Sequence, residues 1–243
     1  MRIAVLSDIH GNLEALEAVA AEIRTREVER IVCLGDMIGY GPDPEGVVQL
    51  VRRLGCRSIL GNHEAALLSA AARQWMNFQA RENSVRTEQL LSAESLAYCR
   101  SLPRSLQLAD AVFVHGFPPE SVFLYLFNQS DRRIAHLFAS SPATLYFVGH
   151  THGLRLVRQA EGETVRVPLA EGAIRLPAEM GHIVNAGSVG QPRDGDRRAK
   201  YLVWDSVTRM LEVLFVPYDC RITADKIRRL GFPDAYAERV CRS

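Results

Sequence analysis

The sequence predicts an α/β fold on three observations. Short, β-branched apolar runs alternate with amphipathic helical stretches along the first part of the chain. Most of those runs end in a polar, Gly-containing segment, as strands do where a sheet meets solvent. Later the strands crowd together, which adds antiparallel pairs to a sheet that begins parallel.

The apolar runs are Ile3–Leu6, Ile31–Leu34, Ser58–Leu60, Ala111–Val114, Thr144–Val148 and Ile183–Val184. Between the first two, a helix starts near Asn12, a good N-cap, and puts Leu13, Leu16, Ala20 and Ile23 on one face. A second helix follows Pro44 and carries Val47, Val48, Leu50 and Val51. Strand–helix–strand–helix–strand with connections of this size implies right-handed crossovers in a parallel sheet. Residues 63–102 break the rhythm with stretches rich in Ala, Leu, Gln and Glu and are expected to form a helical insert, with Trp75, Met76 and Phe78 in its core. Val165–Leu169, Lys200–Asp205 and Met210–Val216 look like an antiparallel meander, with Asp205–Arg209 as a hairpin turn. Two short helices, over 222–230 and 234–241, close the chain. Without an internal repeat or a low-complexity linker, residues 1–243 read as a single domain.

Composition narrows the function. Hydrophobic residues make up 47% of the chain and charged residues 23%, ordinary for a globular protein. The net charge of +1 creates no broad field for nucleic acid or acidic lipid. Cys33, Cys56, Cys99, Cys220 and Cys241 are scattered and odd in number, which supports neither a disulfide framework nor a thiolate metal site. No apolar signal segment precedes the first strand, and no run approaches the roughly 20 apolar residues of a membrane helix. A cytoplasmic protein with no membrane partner is expected.

Five of the seven histidines sit in tight motifs after predicted strands. The segments are Asp8-Ile9-His10, Gly35-Asp36, Gly61-Asn62-His63-Glu64, His115-Gly116 and Gly149-His150-Thr151-His152. Ligands of open α/β sheets collect at the carboxyl ends of strands. Carboxylate, imidazole and one amide oxygen, without thiolate, suit Mn²⁺, Fe, Zn²⁺ or Co²⁺. Residues two apart in an extended segment point the same way, which would converge Asp8 with His10 and His150 with His152. Glycines 35, 61, 116 and 149 would let the backbone turn where the sheet ends. Asp36, with two carboxylate oxygens, is suited to bridge two cations about 3.5–4 Å apart. Four cationic charges less those of Asp8, Asp36 and a bridging hydroxide leave a positive site, suited to a phosphate group.

In this order, the motifs D-x-H, G-D, G-N-H-[ED], H-G and G-H-x-H resemble the calcineurin-like metallophosphoesterases. Gly35-Asp36-Met37-Ile38-Gly39-Tyr40-Gly41-Pro42 and Asn185-Ala186-Gly187-Ser188-Val189-Gly190-Gln191-Pro192-Arg193 look like the small bacterial and archaeal phosphodiesterase or diadenosine-tetraphosphatase-like branch, and the likeness covers nearly the whole chain. The resemblance implies a four-layer αββα sandwich of two mixed sheets flanked by helices, and two divalent transition metals. Manganese comes first among these, with Fe, Zn, Ni or Co as alternatives. By similarity Asp8, His10, Asp36 and His152 would hold one metal, and Asp36, Asn62, His115 and His150 the other. A bridging hydroxide would hydrolyse a phosphate monoester or diester, with His63 protonating the leaving oxygen as general acid. Catalysis would thus rest on Asp36, Asn62 and His63. The partner implied is a small phosphorylated molecule such as a nucleotide. Ala186 departs from the branch, which usually has proline there, and this loosens a loop without removing a ligand.

Blander readings apply to some of these residues. Asp8 and Asn12 could cap the helix that follows, and Asn62 the one starting at His63. His136 and His182 read as packed or surface histidines. The cluster Arg193, Arg197, Arg198 and Lys200, interleaved with Asp194 and Asp196, reads as a solvated hairpin. From it Arg193 is singled out as a clamp on a second phosphate or on product. Tyr40 is a candidate cleft wall, and it joins Asn62 and Arg193 as a substrate-binding residue. Two rival functions share the sequence. One is a catalytically silent protein-binding scaffold, whose relatives lack a ligand or the acid histidine that this chain keeps. The other is a nuclease using the same site, disfavoured by the absence of a basic stripe.

Overall fold

A computed structural model describes residues 1–160 and 162–242, apart from the side chain of Ala160. Twelve strands and nine α-helices follow one another in chain order among the described residues. The first half runs β1 (Arg2–Leu6), α1 (Leu13–Ile23), β2 (Arg30–Cys33), α2 (Pro44–Arg53) and β3 (Arg57–Ser58). Four helices come next, α3 (Asn62–Leu68), α4 (Ala70–Gln74), α5 (Phe78–Gln89) and α6 (Ala93–Ser101). Then follow β4 (Ser105–Leu108), β5 (Ala111–Val114), α7 (Asp131–Ala139), β6 (Leu145–Val148), β7 (Leu154–Ala160), β8 (Glu163–Pro168) and β9 (Gly172–Arg175). The chain ends with β10 (Gly181–Ala186), β11 (Ala199–Asp205), β12 (Met210–Val216), α8 (Cys220–Arg229) and α9 (Asp234–Cys241).

Two mixed six-stranded sheets result, ordered β3-β2-β1-β11-β12-β9 and β4-β5-β6-β10-β7-β8. Alternation along β1 explains their stacking. Ile3 and Val5 point inward to pack with Phe113, Phe147, Val184 and Trp204 between the sheets. Ala4 and Leu6 point outward to Leu16, Val19, Val47 and Val51 of α1 and α2. On the far side, Val114, Tyr146 and Ile183 meet Ile134 and Leu137 of α7. The order of layers is therefore helix, sheet, sheet, helix, the αββα sandwich. Strands covered on both faces need apolar residues at every position, which is why β1 and β6 read as unbroken apolar runs. Each fully buried large side chain contributes about 1.5–3 kcal/mol.

Several expectations are corrected. The three-stranded meander does not form, since β8 pairs with β7 in the second sheet while β11 and β12 form a hairpin in the first. Alternation alone does not say which sheet a strand joins. Trp75 and Phe78 are 73% and 70% exposed, and only Met76 is buried: Trp75 caps α4, which buries no side chain, and Phe78 opens α5 on the face away from its buried Ala80, Asn83, Ser84 and Thr87. Lys200 is not solvated; it is fully buried and paired with Asp194 at 2.8 Å. Ala186 is the last residue of β10 and not part of a loop. Cys220 and Cys241 form a disulfide, since α8 and α9 fold back on each other and bring their Cα atoms to 5.4 Å. Scattered spacing concealed that pair, which the sequence did not lead us to expect. Among the described residues, no helix is long and apolar enough to cross a membrane.

Candidate metal centre

Parallel pairing of β1 with β2, of β2 with β3, of β5 with β6 and of β6 with β10 aligns their carboxyl ends. The histidine motifs follow those ends and meet there. Three groups of side chains bring ligand atoms within 4.8 Å of one another: Asp8, His10 and His152; His10, Asp36 and His63; and Asp36, His115 and His150. All seven residues are buried. Asn62 joins them through its Oδ1, 3.1 Å from His115 Nε2.

The backbone reaches this arrangement by a different route from the one expected. Asp8, His10, Asp36, His150 and His152 all have positive φ, between 49° and 67°. They are not extended, so the convergence of Asp8 with His10, and of His150 with His152, comes from left-handed turns after the strands. Such conformations cost about 1–3 kcal/mol each in a residue other than glycine and persist only where the surroundings enforce them. The glycines are also needed for another reason than turning. At Gly149, a Cβ would sit 2.0 Å from Ser7 Oγ and 2.7 Å from Asp8 Oδ2, so the position demands space. Gly35, with φ of 90°, does need its freedom.

Hydrogen bonds around the rings decide what the centre can hold. His10 Nδ1 lies 3.0 Å from the Ile38 carbonyl and His152 Nδ1 lies 2.6 Å from that of Gln191. A carbonyl only accepts, so both Nδ1 atoms carry the proton and both Nε2 atoms present lone pairs. Those two Nε2 atoms face each other at 3.1 Å. Beside them is Asp8 Oδ1, buried with no hydrogen-bond partner, 3.3 Å from His152 Nε2. Its other oxygen is occupied by the Ser7 hydroxyl and the His150 N–H. Lone pairs confronting a bare carboxylate oxygen repel unless a cation lies between them. The donor set therefore fits a divalent metal, with its outer hydrogen bonds already in place.

Asp36 occupies the middle. Its Oδ1 accepts the His63 N–H at 2.9 Å, leaving Oδ2 to face His115 Nε2 at 3.3 Å and His10 Nε2 at 3.7 Å. Burial alone would raise both aspartates, but the surrounding histidines hold their carboxyls well below the usual range. His115 responds in the opposite direction. Burial opposes its charge, yet Asp36 and Asp8 push it up to about 9, so that in the metal-free protein its proton stands where a cation would. Burial pushes His63 down to about 3 and His150 down to about 4, and it takes His152 well below its ordinary value.

Above this floor opens a cleft of about 250 Å³, walled by Tyr40, Tyr125, Arg193 and Arg239. Tyr40 packs edge-on against His63 at 4.6 Å, and Tyr125 stacks on His150 at 4.0 Å. Burial pushes the Tyr40 hydroxyl up to about 12, which keeps it a hydrogen-bond donor.

A model of the calcineurin-like phosphoesterase superfamily domain matches residues 1–209 of the chain. The protein belongs to that superfamily. By family it is a phosphoester hydrolase, and divalent metals are typical of this group. An uncharacterized protein of Methanocaldococcus jannaschii is 35% identical over 244 residues, covering 98% of this chain and 96% of its own. The crystal structure of a metallophosphoesterase from Sphaerobacter thermophilus superposes with a TM-score of 0.86 at 35% identity, over 100% of this chain and 99% of that one. A shorter match, 37% identical over 71 residues, joins 28% of this chain to 25% of a symmetrical bis(5'-nucleosyl)-tetraphosphatase of Pectobacterium carotovorum.

Within this calcineurin-like phosphoesterase, Asp8, His10, Asp36, Tyr40, Asn62, His63, His115, His150, His152 and Arg193, the residues expected in the site, all lie on the floor or wall of the cleft. His136 is exposed, and His182 is buried in β10 outside the three groups. Of the capping alternatives, Asn12 does cap α1, accepting from Ala15 N–H at 3.1 Å. Asn62 is the first residue of α3 and not its cap. Sequence reasoning missed three residues. Glu64 is fully buried and accepts the N–H groups of Asp36, Met37 and Gly61 at 2.8–3.0 Å, fixing the Asp36 loop. Burial and the Asp36 charge push it up to about 7. Its position three residues after the Gly61 cap was the available signal. Tyr125 and Arg239 carry no motif, and only the fold brings them to the cleft.

Proposed function

We propose that this phosphoesterase hydrolyses a phosphate monoester or diester with two divalent transition metals, manganese first among them. One would sit with Asp8, His10, Asp36 and His152, the other with Asp36, Asn62, His115 and His150. The observation that carries this reading is the opposition of the His10 and His152 lone pairs beside the bare Asp8 oxygen. When bound, the cations supply an activated water and a positive seat for phosphoryl oxygens.

The chain's own groups do the rest. Asp36 turns Oδ2 toward His115 of one half and His10 of the other, while the His63 N–H holds Oδ1 and fixes its orientation. Arg193, at the cleft wall and linked to Gln191 Oε1 at 3.1 Å, orients a phosphate oxygen together with Asn62. His63 is the general acid. Its Nδ1 is buried without a partner against Gly39, so Nε2 is the nitrogen that faces the cleft. Burial keeps the ring neutral in the free protein, so it takes up its proton only when an anionic substrate sits beside it. The cleft is smaller than the roughly 300–1,000 Å³ pockets of drug-sized ligands, so it admits phosphoryl groups and leaves the rest of a small, nucleotide-like substrate at the rim.

The test is a panel of Mn²⁺, Fe²⁺, Zn²⁺, Ni²⁺ and Mg²⁺ against p-nitrophenyl phosphate, its bis ester, dinucleoside polyphosphates, cyclic nucleotides and a phosphopeptide. Turnover that depends on metal, with Mn²⁺ among the strongest, is expected. No turnover with any pair would reject the reading.

A further inference from the structure

The Cys220–Cys241 bond has two unlike ends. Cys220 opens α8 and is buried, whereas Cys241 ends α9 and is half-buried on the wall of an open pocket of about 890 Å³. In thiol–disulfide exchange a thiolate attacks one sulfur and expels the other, so the reachable sulfur decides the direction. A thiol arriving from solvent meets Cys241 first.

The charges around the pocket favour that attack. Arg221 and Arg228, both in the lining, pair with Asp219 and with Asp225 and Asp234. Arg239 and Arg242, on either side of Cys241, line the same pocket, and among the described residues neither guanidinium has a carboxylate within 4.0 Å. Against them stands the single carboxylate of Glu238, so the wall keeps a positive surplus that draws a thiolate in. At the other end, Cys220 sits in the first turn of α8, where the free backbone N–H groups favour a thiolate and make it the better leaving group. The Asp219 carboxylate beside it is held by Arg221 at 3.0 Å.

What the bond holds is the end of α9. Its eight residues are too few for a helix that stands alone. The first half is docked by Tyr236, whose ring packs edge-on against Tyr40 at 5.2 Å and whose hydroxyl donates to the Gln79 carbonyl at 3.3 Å. The last turn has the buried Val240 side chain, a long hydrogen bond of 3.4 Å from the Tyr218 hydroxyl to the Val240 carbonyl, and the disulfide. Arg239 lies in that turn and lines both the pocket and the metal cleft. Pocket and cleft thus share one side chain, and the sulfur bond fixes the turn that carries it.

We propose that Cys241 is a site of thiol–disulfide exchange for small anionic thiols, and that opening the bond releases the last turn of α9 and withdraws Arg239 from the cleft wall. The incoming thiolate bonds to Cys241 Sγ as the bond to Cys220 breaks, and Cys220 departs as a thiolate that takes a proton from water. A second thiolate attacks the sulfur of the first and expels Cys241, which is protonated in turn. Two small thiols are thereby oxidised to one disulfide, and the protein is reduced to a dithiol. The site stands apart from the metal chemistry and does not rest on the phosphoesterase reading.

Two thiols with the same two-carbon skeleton, 2-mercaptoethanesulfonate and cysteamine, differ in the sign of their end group and test the proposal on the full chain isolated without reductant. Alkylation stops the exchange, and mass spectrometry maps the products. The adduct is expected on Cys241, with Cys220 alkylated. At low salt the sulfonate should react, per thiolate, about fivefold or more faster than the amine, a gap that closes in about 1 M salt and narrows in Arg242→Gln. After full reduction, amide hydrogen exchange of residues 238–241 should speed up about tenfold or more while that of β1 is unchanged, and Cys220→Ser should show the same fast exchange with no thiol added. An adduct on Cys220, equal rates for the two thiols, or exchange in α9 unchanged by reduction would each overturn the proposal. Free thiols at both positions in the isolated chain would overturn it as well.

Discussion

The floor and the rim of the cleft are built on different principles. On the floor, the side chains follow strand ends, are buried, and are locked by hydrogen bonds to carbonyls and by left-handed backbone that no side chain adopts freely. On the rim, Tyr125 comes from a loop, Arg193 from the connection that carries the chain from β10 of one sheet to β11 of the other, and Arg239 from the last helix, and Trp75, Phe78 and Phe127 nearby stand 65–73% exposed. The floor is preorganised for one chemistry. The rim is free to change which molecule receives it. Substitutions should therefore cost much on the floor and little on the rim, except where a rim residue touches substrate.

The largest expected effect is at His63. His63→Asn should lower kcat about 10²–10⁴-fold for substrates with alkoxide leaving groups, and far less for nitrophenolate, which hardly needs a proton. Steady-state rates on the two substrate types check this, and equal losses would remove His63 from the acid role.

Stability should show the same contrast on a smaller scale. Gly149→Ala pushes a methyl group into Ser7 Oγ and Asp8 Oδ2 and should cost about 1–3 kcal/mol, the usual penalty of overpacking. Trp75→Ala, at a solvent-facing rim position, should change stability by no more than about 0.5 kcal/mol. Urea unfolding of both variants measures the difference. Equal costs would mean that the floor is no tighter than the rim.

Titration gives the subtlest contrast. In the metal-free protein His63, His150 and His182 have folded pKa values of about 3, 4 and 4, below the ordinary 6.5, so they are neutral when folded and take protons on unfolding. Their contribution is fully present above pH 6.5 and is lost as the pH falls towards about 4. His115, raised to about 9, acts in the opposite sense: its contribution is present below pH 6.5 and is lost as the pH rises through 9. On the proposed reading Mn²⁺ takes the place of the His115 proton, so loading should remove the alkaline decline and steepen the acidic one, because ligands must lose protons to bind. Calorimetric melting from roughly pH 5 to 9, with and without Mn²⁺, checks both signs. Identical profiles would argue that His115 binds no cation.

The same division explains what was legible in the sequence. Asp8, His10, Asp36, Asn62, His63, His115, His150 and His152 stand in short motifs directly after buried strands, and a two-sided sheet writes those strands as apolar runs. Their backbone geometry was not legible, since left-handed residues leave no mark when they are aspartate and histidine. Strands β4, β7 and β9 were missed because their faces are partly exposed or interrupted by arginine, so no apolar run marks them. Arg239, Tyr125 and the Cys220–Cys241 bond depend on contacts between distant segments, which periodicity does not carry. Glu64 lay inside a motif, but its role as acceptor for the Asp36 loop needed the loop itself.

The central claim is that the floor holds two cations through separate residues that share Asp36. Metal content per chain after Mn²⁺ loading and desalting, read by plasma mass spectrometry, tests it most directly. The wild type should hold two, His152→Ala and His115→Ala one each, and Asp36→Ala fewer than one. A wild type with fewer than one metal per chain, or the two histidine variants still holding two, would contradict the account.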